Sequence, residues 1–143
     1  MMFAYLLAVA QAVAPSATID GLPIGALPQQ ALPARGCAAY LFSTGTTRTL
    51  AAVATADPAT LRLVLDGKVI DVPRTGATGT APLGLNAENV YRAGDLVATV
   101  NMTIELRQNL TAGAAVPSAT LRLDRAARDT VVVPLAGLVG CAG

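Results

Sequence analysis

The sequence predicts an all-β protein with one domain. Helix signals are scarce, apolar and polar residues alternate with a period of two, and turn residues recur about every 8–12 residues. The chain has 143 residues, a length that fits a single domain. We therefore expect a single antiparallel β-sandwich, either immunoglobulin-like or a related Greek key, of about 7–8 strands.

An apolar leader is predicted at the start of the chain. Residues 1–14 read MMFAYLLAVAQAVA, carry no charged side chain and are followed by Pro15 and Ser16. A membrane-spanning helix needs about 20 apolar residues, whereas this length suits the apolar region of a signal peptide. We predict a signal peptide over 1–14, although it lacks the usual basic residue. A short apolar anchor and a buried N-terminal helix are the alternatives.

A proline-rich segment over 15–36 follows the leader. Leu-Pro recurs there with a spacing of five residues, at positions 22–23, 27–28 and 32–33. Proline fixes φ and biases the preceding residue towards extended geometry, so the segment is predicted to be an extended linker. The alternative is a strap whose apolar side chains lie in a groove of the domain or of a neighbour. Those side chains would be Ile19, Leu22, Ile24 and Leu27.

The remaining residues, 37–143, form the predicted sandwich domain. Its strands are expected as a hairpin of 37–43 and 48–55, a hairpin of 61–66 and 68–73, a strand over 98–106, and strands over 120–124 and 130–140. Asp66 and Gly67 favour the positive φ angles of a type I′ turn. Pro134 lacks an amide donor, so we expect the last strand to be interrupted there or to lie at an edge.

The strand over 98–106 shows the clearest alternation. We expect its apolar residues to be buried, namely Ala98, Val100, Met102, Ile104 and Leu106. The polar residues between them should face water, as one side of an antiparallel sheet commonly does.

An internal similarity links two segments of the domain. Ala-Thr-Leu-Arg-Leu occurs at 59–63 and again at 119–123, and each copy is followed, after a turn, by Val-Pro. Two explanations remain open. One is a duplicated hairpin, and the other is convergence of two hairpins on similar apolar sequences.

Two cysteines, Cys37 and Cys141, stand at the two ends of the predicted domain. Two thiols without histidine cannot complete a four-ligand zinc site, and an even count in an exported chain indicates a disulfide. We predict a Cys37–Cys141 disulfide that closes the domain, with two buried free thiols as the alternative. Together with the leader, this bond predicts an exported protein, periplasmic or extracellular.

The composition excludes several classes of function. The absence of histidine removes the commonest general base and metal ligand, so we predict no catalytic, cofactor-binding or metal-binding residues and no enzyme activity. The net charge is +1 and the arginines are scattered, whereas nucleic-acid binding requires clustered cations.

The most polar stretch of the domain is predicted to be a loop that contacts other molecules. Its candidate contact residues are Asn86, Glu88, Asn89, Tyr91 and Asp95. Oxygen ligands of this kind suit calcium, but the stretch lacks the dense aspartate spacing of calcium-binding loops, so we predict no metal there.

These observations predict a non-enzymatic exported domain that acts through protein–protein contacts. The expected partner is another envelope or surface protein, and a membrane would be contacted through the leader alone, if it is not cleaved. Two alternatives remain open. One is a polymerising surface subunit that uses residues 15–36 for strand addition, and the other is a small-ligand binder with a cavity between the two sheets.

Overall fold

A computed structural model describes residues 18–46, 48–108 and 113–142, and the predicted leader over 1–14 lies outside these ranges. The described residues form nine strands and one short 3-10 turn, Pro82–Gly84. The strands are β1 Ile24–Gly25, β2 Cys37–Ser43, β3 Leu50–Ala56, β4 Ala59–Leu65, β5 Lys68–Thr78, β6 Glu88–Ala93, β7 Leu96–Glu105, β8 Gly113–Asp124 and β9 Val131–Cys141. Within the described ranges, no helix is long and apolar enough to cross a membrane.

Strands β2 to β9 form a closed antiparallel barrel of eight strands. Each strand pairs with its neighbours in sequence, and β9 returns to pair with β2. Strand β1 lies outside the barrel and pairs with the end of β4, Ile24 opposite Leu65. The all-β prediction is confirmed, but the two-sheet sandwich and its Greek-key connections are wrong.

The barrel closes because the sheet coils upon itself. Four register shifts, in β2, β5, β7 and β8, interrupt the ladders. Bulges of this kind bend a strand and increase its twist, which is how one sheet curls until its first and last strands meet. Strand β5, predicted to end at residue 73, continues through Gly76 to Thr78, so it can pair with both β4 and β6.

Side chains fill the interior of the barrel. Small and large residues alternate there, as the narrow interior of an eight-stranded barrel requires. The buried set includes Ala39, Leu41, Ala52, Ala54, Leu61, Leu63, Val72, Tyr91, Ala98, Val100, Leu121, Leu123, Val133 and Leu135. Leu85, from the β5–β6 connection, completes one end of this core, and Ile19 and Ile24 complete the other.

Residues 26–36, called the strap below, lie along the outside of the barrel. The Leu27 amide donates to the Leu50 carbonyl (2.8 Å), and at the other end the Ala142 amide donates to the Gly36 carbonyl (2.8 Å). Leu27 is buried in a second apolar cluster between the strap and the barrel. Ile19 and Ile24, which precede the strap, are buried as well.

Most of the predicted strands are confirmed. Asp66 and Gly67 both have positive φ, 50° and 81°, in the turn between β4 and β5. In β7, Ala98, Val100 and Met102 are buried as expected. Ile104 is only partly buried, and Leu106, which follows the end of the strand, is 66% exposed.

The last strand is not interrupted at Pro134. Strand β9 runs unbroken from Val131 to Cys141. The last β2–β9 pair is Ser43 opposite Leu135, and Pro134 lies just past it. The Thr44 hydroxyl donates to the Pro134 carbonyl (3.4 Å), so this carbonyl points towards the β2 side. The amide of a residue in an antiparallel strand points to the same side as its carbonyl. Pro134 thus occupies a position where no β2 partner is lost.

The predicted disulfide is confirmed. Cys37 and Cys141 are direct partners in the β2–β9 ladder, and their Sγ atoms are 2.02 Å apart. The bond joins residues separated by 104 positions at the place where the first and last barrel strands meet.

The two similar sequence segments occupy equivalent positions in two hairpins. Thr60 of β4 lies opposite Pro73 of β5, and Thr120 of β8 lies opposite Pro134 of β9. In the same way, Leu61 lies opposite Val72 and Leu121 opposite Val133. The similarity therefore extends from the sequence to the pairing register, as duplication of a four-stranded unit, β2–β5 and β6–β9, would produce.

Candidate functional site

Strand β9 is apolar on both of its faces. From Val131 to Cys141 it contains no charged, hydroxyl or amide side chain. The outer face of an antiparallel sheet is commonly polar, so an apolar outer face is unusual. The outward set includes two large exposed residues, Val132 at 56% and Leu138 at 57% of full exposure.

The outward side chains of β2 extend this apolar surface. Tyr40 lies directly opposite Leu138 in the β2–β9 ladder, and Phe42 lies opposite Ala136. Both aromatic side chains are partly exposed, although inward neighbours such as Leu41 are fully buried. Two aromatic rings and a leucine thus share one stretch of the outer face.

The strap forms one wall beside these residues and creates a groove. Its Leu32, 61% exposed, approaches Gly140 of β9 so closely that a Cβ at position 140 would lie 2.8 Å from the Leu32 Cδ2 atom. A larger residue at 140 would make the flexible, exposed Leu32 side chain shift. The groove has a volume of about 590 Å³ and is called the outer groove below. Its main apolar lining residues are Leu27, Leu32, Tyr40, Phe42, Leu50 and Leu138.

A hydrogen bond holds the floor of the outer groove to its wall. The Tyr40 hydroxyl donates to the Ala31 carbonyl of the strap at 2.8 Å. Partial burial raises the pKa of Tyr40 further above neutral, so the hydroxyl stays a donor into the alkaline range. The tyrosine ring is thereby fixed beside the backbone of an extended, proline-flanked segment.

A second groove, of about 700 Å³, continues from the outer groove. Phe42 and Leu138 line both grooves, and two arginines, Arg48 and Arg107, line the second. Arg107 donates to a carboxylate oxygen of Glu105 at 3.2 Å. Arg48 makes no ion pair with any residue that the structure describes, so it is the cation available to a bound anionic group.

The opposite side of the strap is held by a polar clamp. Arg62 of β4 donates to both carboxylate oxygens of Asp71 on β5, at 2.7 and 3.0 Å, and to the Gln30 side-chain oxygen of the strap at 2.8 Å. The hydrogen bonds and charge of Arg62 lower the pKa of Asp71. These contacts fasten the strap, and the small pocket beside them, about 220 Å³, is bounded by the same groups.

The five predicted contact residues do not form one surface. The stretch expected as a loop is mostly strand β6, whose side chains alternate between the two faces of the barrel wall. Asn89 and Tyr91 point inward and are 1% exposed. Glu88 is exposed on the outside and accepts a hydrogen bond from Thr78. Asp95 lies beyond β6 in the turn to β7, at the end of β6 away from Asn86.

Three of these residues meet a fourth, Arg74, inside one end of the barrel. The Asn89 side-chain amide donates to the carbonyls of Asn86 (2.8 Å) and Val100 (3.3 Å), and Arg74 donates to the Asn86 side-chain oxygen at 3.1 Å. Tyr91 lies opposite Arg74 in the β5–β6 ladder. Burial raises the pKa of Tyr91 to about 12, against a smaller lowering by the Arg74 charge. The side chains of Asn86, Asn89 and Arg74 are thus hydrogen-bonded within the barrel, which is a structural role.

The residues of the outer groove were not predicted as a site. The sequence does carry a signal for Leu138, because residues 131–141 lack any polar side chain and such a run indicates a strand that is covered on both faces. Tyr40 and Phe42 are also two residues apart, which places them on one face of a strand. The position of the strap beside them, however, depends on tertiary contacts.

The comparisons and the search for metal ligands add no further site. A scan against protein-family models and searches of curated proteins and solved structures found no match for this chain. Among the described residues, no group of three or more cysteine, aspartate or glutamate side chains is placed to hold a metal ion.

Proposed function

We propose that this chain is a non-enzymatic exported domain that acts through protein–protein contacts, and that the outer groove is its contact surface. The observation that carries the proposal is the apolar outer face of β9 and β2, on which Leu138 is 57% exposed beside two aromatic rings. Contiguous exposed apolar surface on a soluble fold marks interaction sites, because leaving it in water is unfavourable.

Two features support export. The Cys37–Cys141 disulfide is compatible with an oxidising compartment, since disulfides are rare where thiols are kept reduced. The apolar sequence of residues 1–14 supplies the proposed signal peptide. A periplasmic or extracellular location follows from this proposal.

The interior of the barrel favours contact on the outside rather than ligand storage within. Leu, Val and Ala side chains fill the interior, and its two ends are covered by Leu85 and by Ile19 with Ile24. A small molecule would have to displace packed core side chains, which costs several kcal/mol.

The closed barrel also favours side-chain contacts over strand addition. In the described part of the chain, each of strands β2 to β9 pairs with two neighbours, which leaves one side unpaired only along short stretches such as 68–73 of β5 and 131–134 of β9. Residues 18–25 are already used within the chain, where buried Ile24 pairs with Leu65 of β4.

A pull-down with matched charge variants tests the proposal. Leu138→Asp places a charge in the outer groove, and Val132→Asp places the same charge on the same strand face outside it, at nearly equal exposure. The exported protein should capture a partner from envelope extracts, and Val132→Asp should capture it equally well. Leu138→Asp should capture at least tenfold less of the partner. Equal capture by both variants would overturn the assignment of the outer groove.

A further inference from the structure

We propose that the outer groove binds an extended, leucine- and proline-containing peptide segment of the partner, with an acidic residue beside Arg48. This inference rests on the proposed function and names the chemistry of its partner. It is drawn from the way in which the barrel already holds its own strap.

The strap shows what kind of chain this face binds. Residues 26–33 of the strap lie in no helix, strand or turn, prolines stand at positions 28 and 33, and Leu27 is buried against Val53 and Val64 of the barrel. The Tyr40 hydroxyl donates to the Ala31 carbonyl between the two prolines. Aromatic-lined grooves bind polyproline-like segments in this way, because such segments are pre-extended and their carbonyls have no internal partners.

The outer groove continues this intramolecular interface. It begins at strap residues Leu27 and Leu32, and its floor passes from Tyr40 to Phe42 and Leu138. Tyr40 is used by the strap, whereas Phe42 and Leu138 offer the same kind of aromatic and aliphatic surface to a second chain. A segment like the strap would therefore lie alongside it with its leucines on these two residues.

The charge at one end of the groove sets the polarity of the peptide. The outer groove leads past Phe42 into the arginine-lined groove, where Arg107 is paired with Glu105 and Arg48 has no ion-pair partner among the described residues. An acidic residue at the end of the peptide that lies here would meet Arg48. Since exposed ion pairs contribute little, this contact should change the affinity only about two- to fivefold, and the apolar contacts should supply most of the binding.

Isothermal titration calorimetry of synthetic peptides with the full chain tests the inference by measuring their affinities. The first probe is the neutral, capped sequence of residues 26–33, Ala-Leu-Pro-Gln-Gln-Ala-Leu-Pro. The second carries two glutamates at its carboxyl end, and the third carries them at its amino end. We expect the neutral peptide to bind and one acidic peptide to bind about two- to fivefold more tightly. Replacing both prolines by glycine should weaken binding at least fivefold.

Protein variants locate the binding. Leu138→Asp should weaken binding of all peptides at least tenfold, Val132→Asp should change it less than twofold, and Arg48→Gln should abolish the advantage of the acidic peptide alone. Because all three side chains lie on the surface, circular dichroism of each variant should match the parent protein. Peptide binding that Leu138→Asp leaves unchanged would overturn the inference.

Other outcomes separate this inference from the proposed function. If no peptide binds at millimolar concentration but partner capture still depends on Leu138, the peptide inference fails and the contact surface stands. If capture is also independent of Leu138, both fail. Binding to phosphatidylglycerol vesicles that Leu138→Asp abolishes, without peptide binding, would identify the face as a lipid-binding surface and overturn both.

Discussion

Tyr91 is the largest side chain buried inside the barrel, and its ionisation makes the stability of the folded state depend on pH. Its pKa is raised to about 12 because the phenolate would lose its hydration in the interior. In the unfolded chain the same group has a pKa near 10. The folded state therefore holds the proton more tightly, and its stability contribution is complete below about pH 10.

We expect the free energy of unfolding to fall as pH rises from about 10 to 12. In that window the unfolded chain binds fewer protons than the folded chain, and a difference of about two units corresponds to about 2–3 kcal/mol. Chemical denaturation at several pH values measures this fall, and Tyr91→Phe should remove most of it. Tyr40, whose pKa is also raised, should account for a remaining slope. Equal slopes for the parent protein and Tyr91→Phe would contradict this account.

The surface ion pairs contribute less than the buried residues. Arg62 and Asp71 are each nearly half exposed, so water screens their attraction although their geometry is bidentate. Exposed pairs of this kind contribute at most about 1 kcal/mol. The function of Arg62 is better described as positional, since the same guanidinium also holds Gln30 of the strap.

Strands β2 and β9 are the elements on which the closure of the barrel depends. They are the first and last strands of the barrel, and loop-closure entropy opposes their pairing in the unfolded chain. The disulfide between Cys37 and Cys141 removes that cost in advance because it holds 104 positions of chain in a loop. The barrel core is rich in alanine and gains little hydrophobic free energy per buried residue. The disulfide therefore supplies a large share of the free energy of unfolding.

Replacing both cysteines by serine should lower the free energy of unfolding by up to about 4–5 kcal/mol, the upper value for a loop of this length. Urea unfolding of the oxidised protein and of the Cys37→Ser/Cys141→Ser variant measures the difference. Reducing the parent protein should reproduce the lower midpoint. An unchanged urea midpoint in the variant would show that the bond does not stabilise the fold.

The predicted elements show which features are encoded locally. The hairpin of β4 and β5 and the alternation of β7 follow from turn residues and from a period of two, which neighbouring residues specify. Strand β6 was missed because Asn89 is a buried amide. Its polarity indicated a loop, although its hydrogen bonds to Asn86 and Val100 satisfy it inside the barrel.

The closure of the sheet into a barrel could not be predicted from these local patterns. A sandwich and a barrel contain the same alternating strands, and they differ in which strands pair. That choice depends on four register shifts and on the length of β5, which extends through Gly76 to Thr78. The equivalent registers of Thr60 with Pro73 and of Thr120 with Pro134 suit a barrel built from two four-stranded halves.

The candidate site also depends on the fold of the whole molecule. The apolar run of residues 131–141 was visible in the sequence, but an apolar strand can be covered on both faces or exposed on one. The barrel places its inward residues in the core and leaves Leu138 outside, next to Tyr40 and the strap. The contact surface is thus assembled from three parts of the chain, the strap, β2 and β9.

Photocrosslinking in the intact organism tests most directly that the outer groove is the contact surface of the exported protein. A photoreactive benzoylphenylalanine would replace one exposed outward side chain at a time, at positions 138, 132, 69 and 101, which lie at different places around the barrel. We expect a covalent adduct with a partner protein from position 138 and none from the other three. Adducts from 132, 69 or 101, with none from 138, would contradict the account.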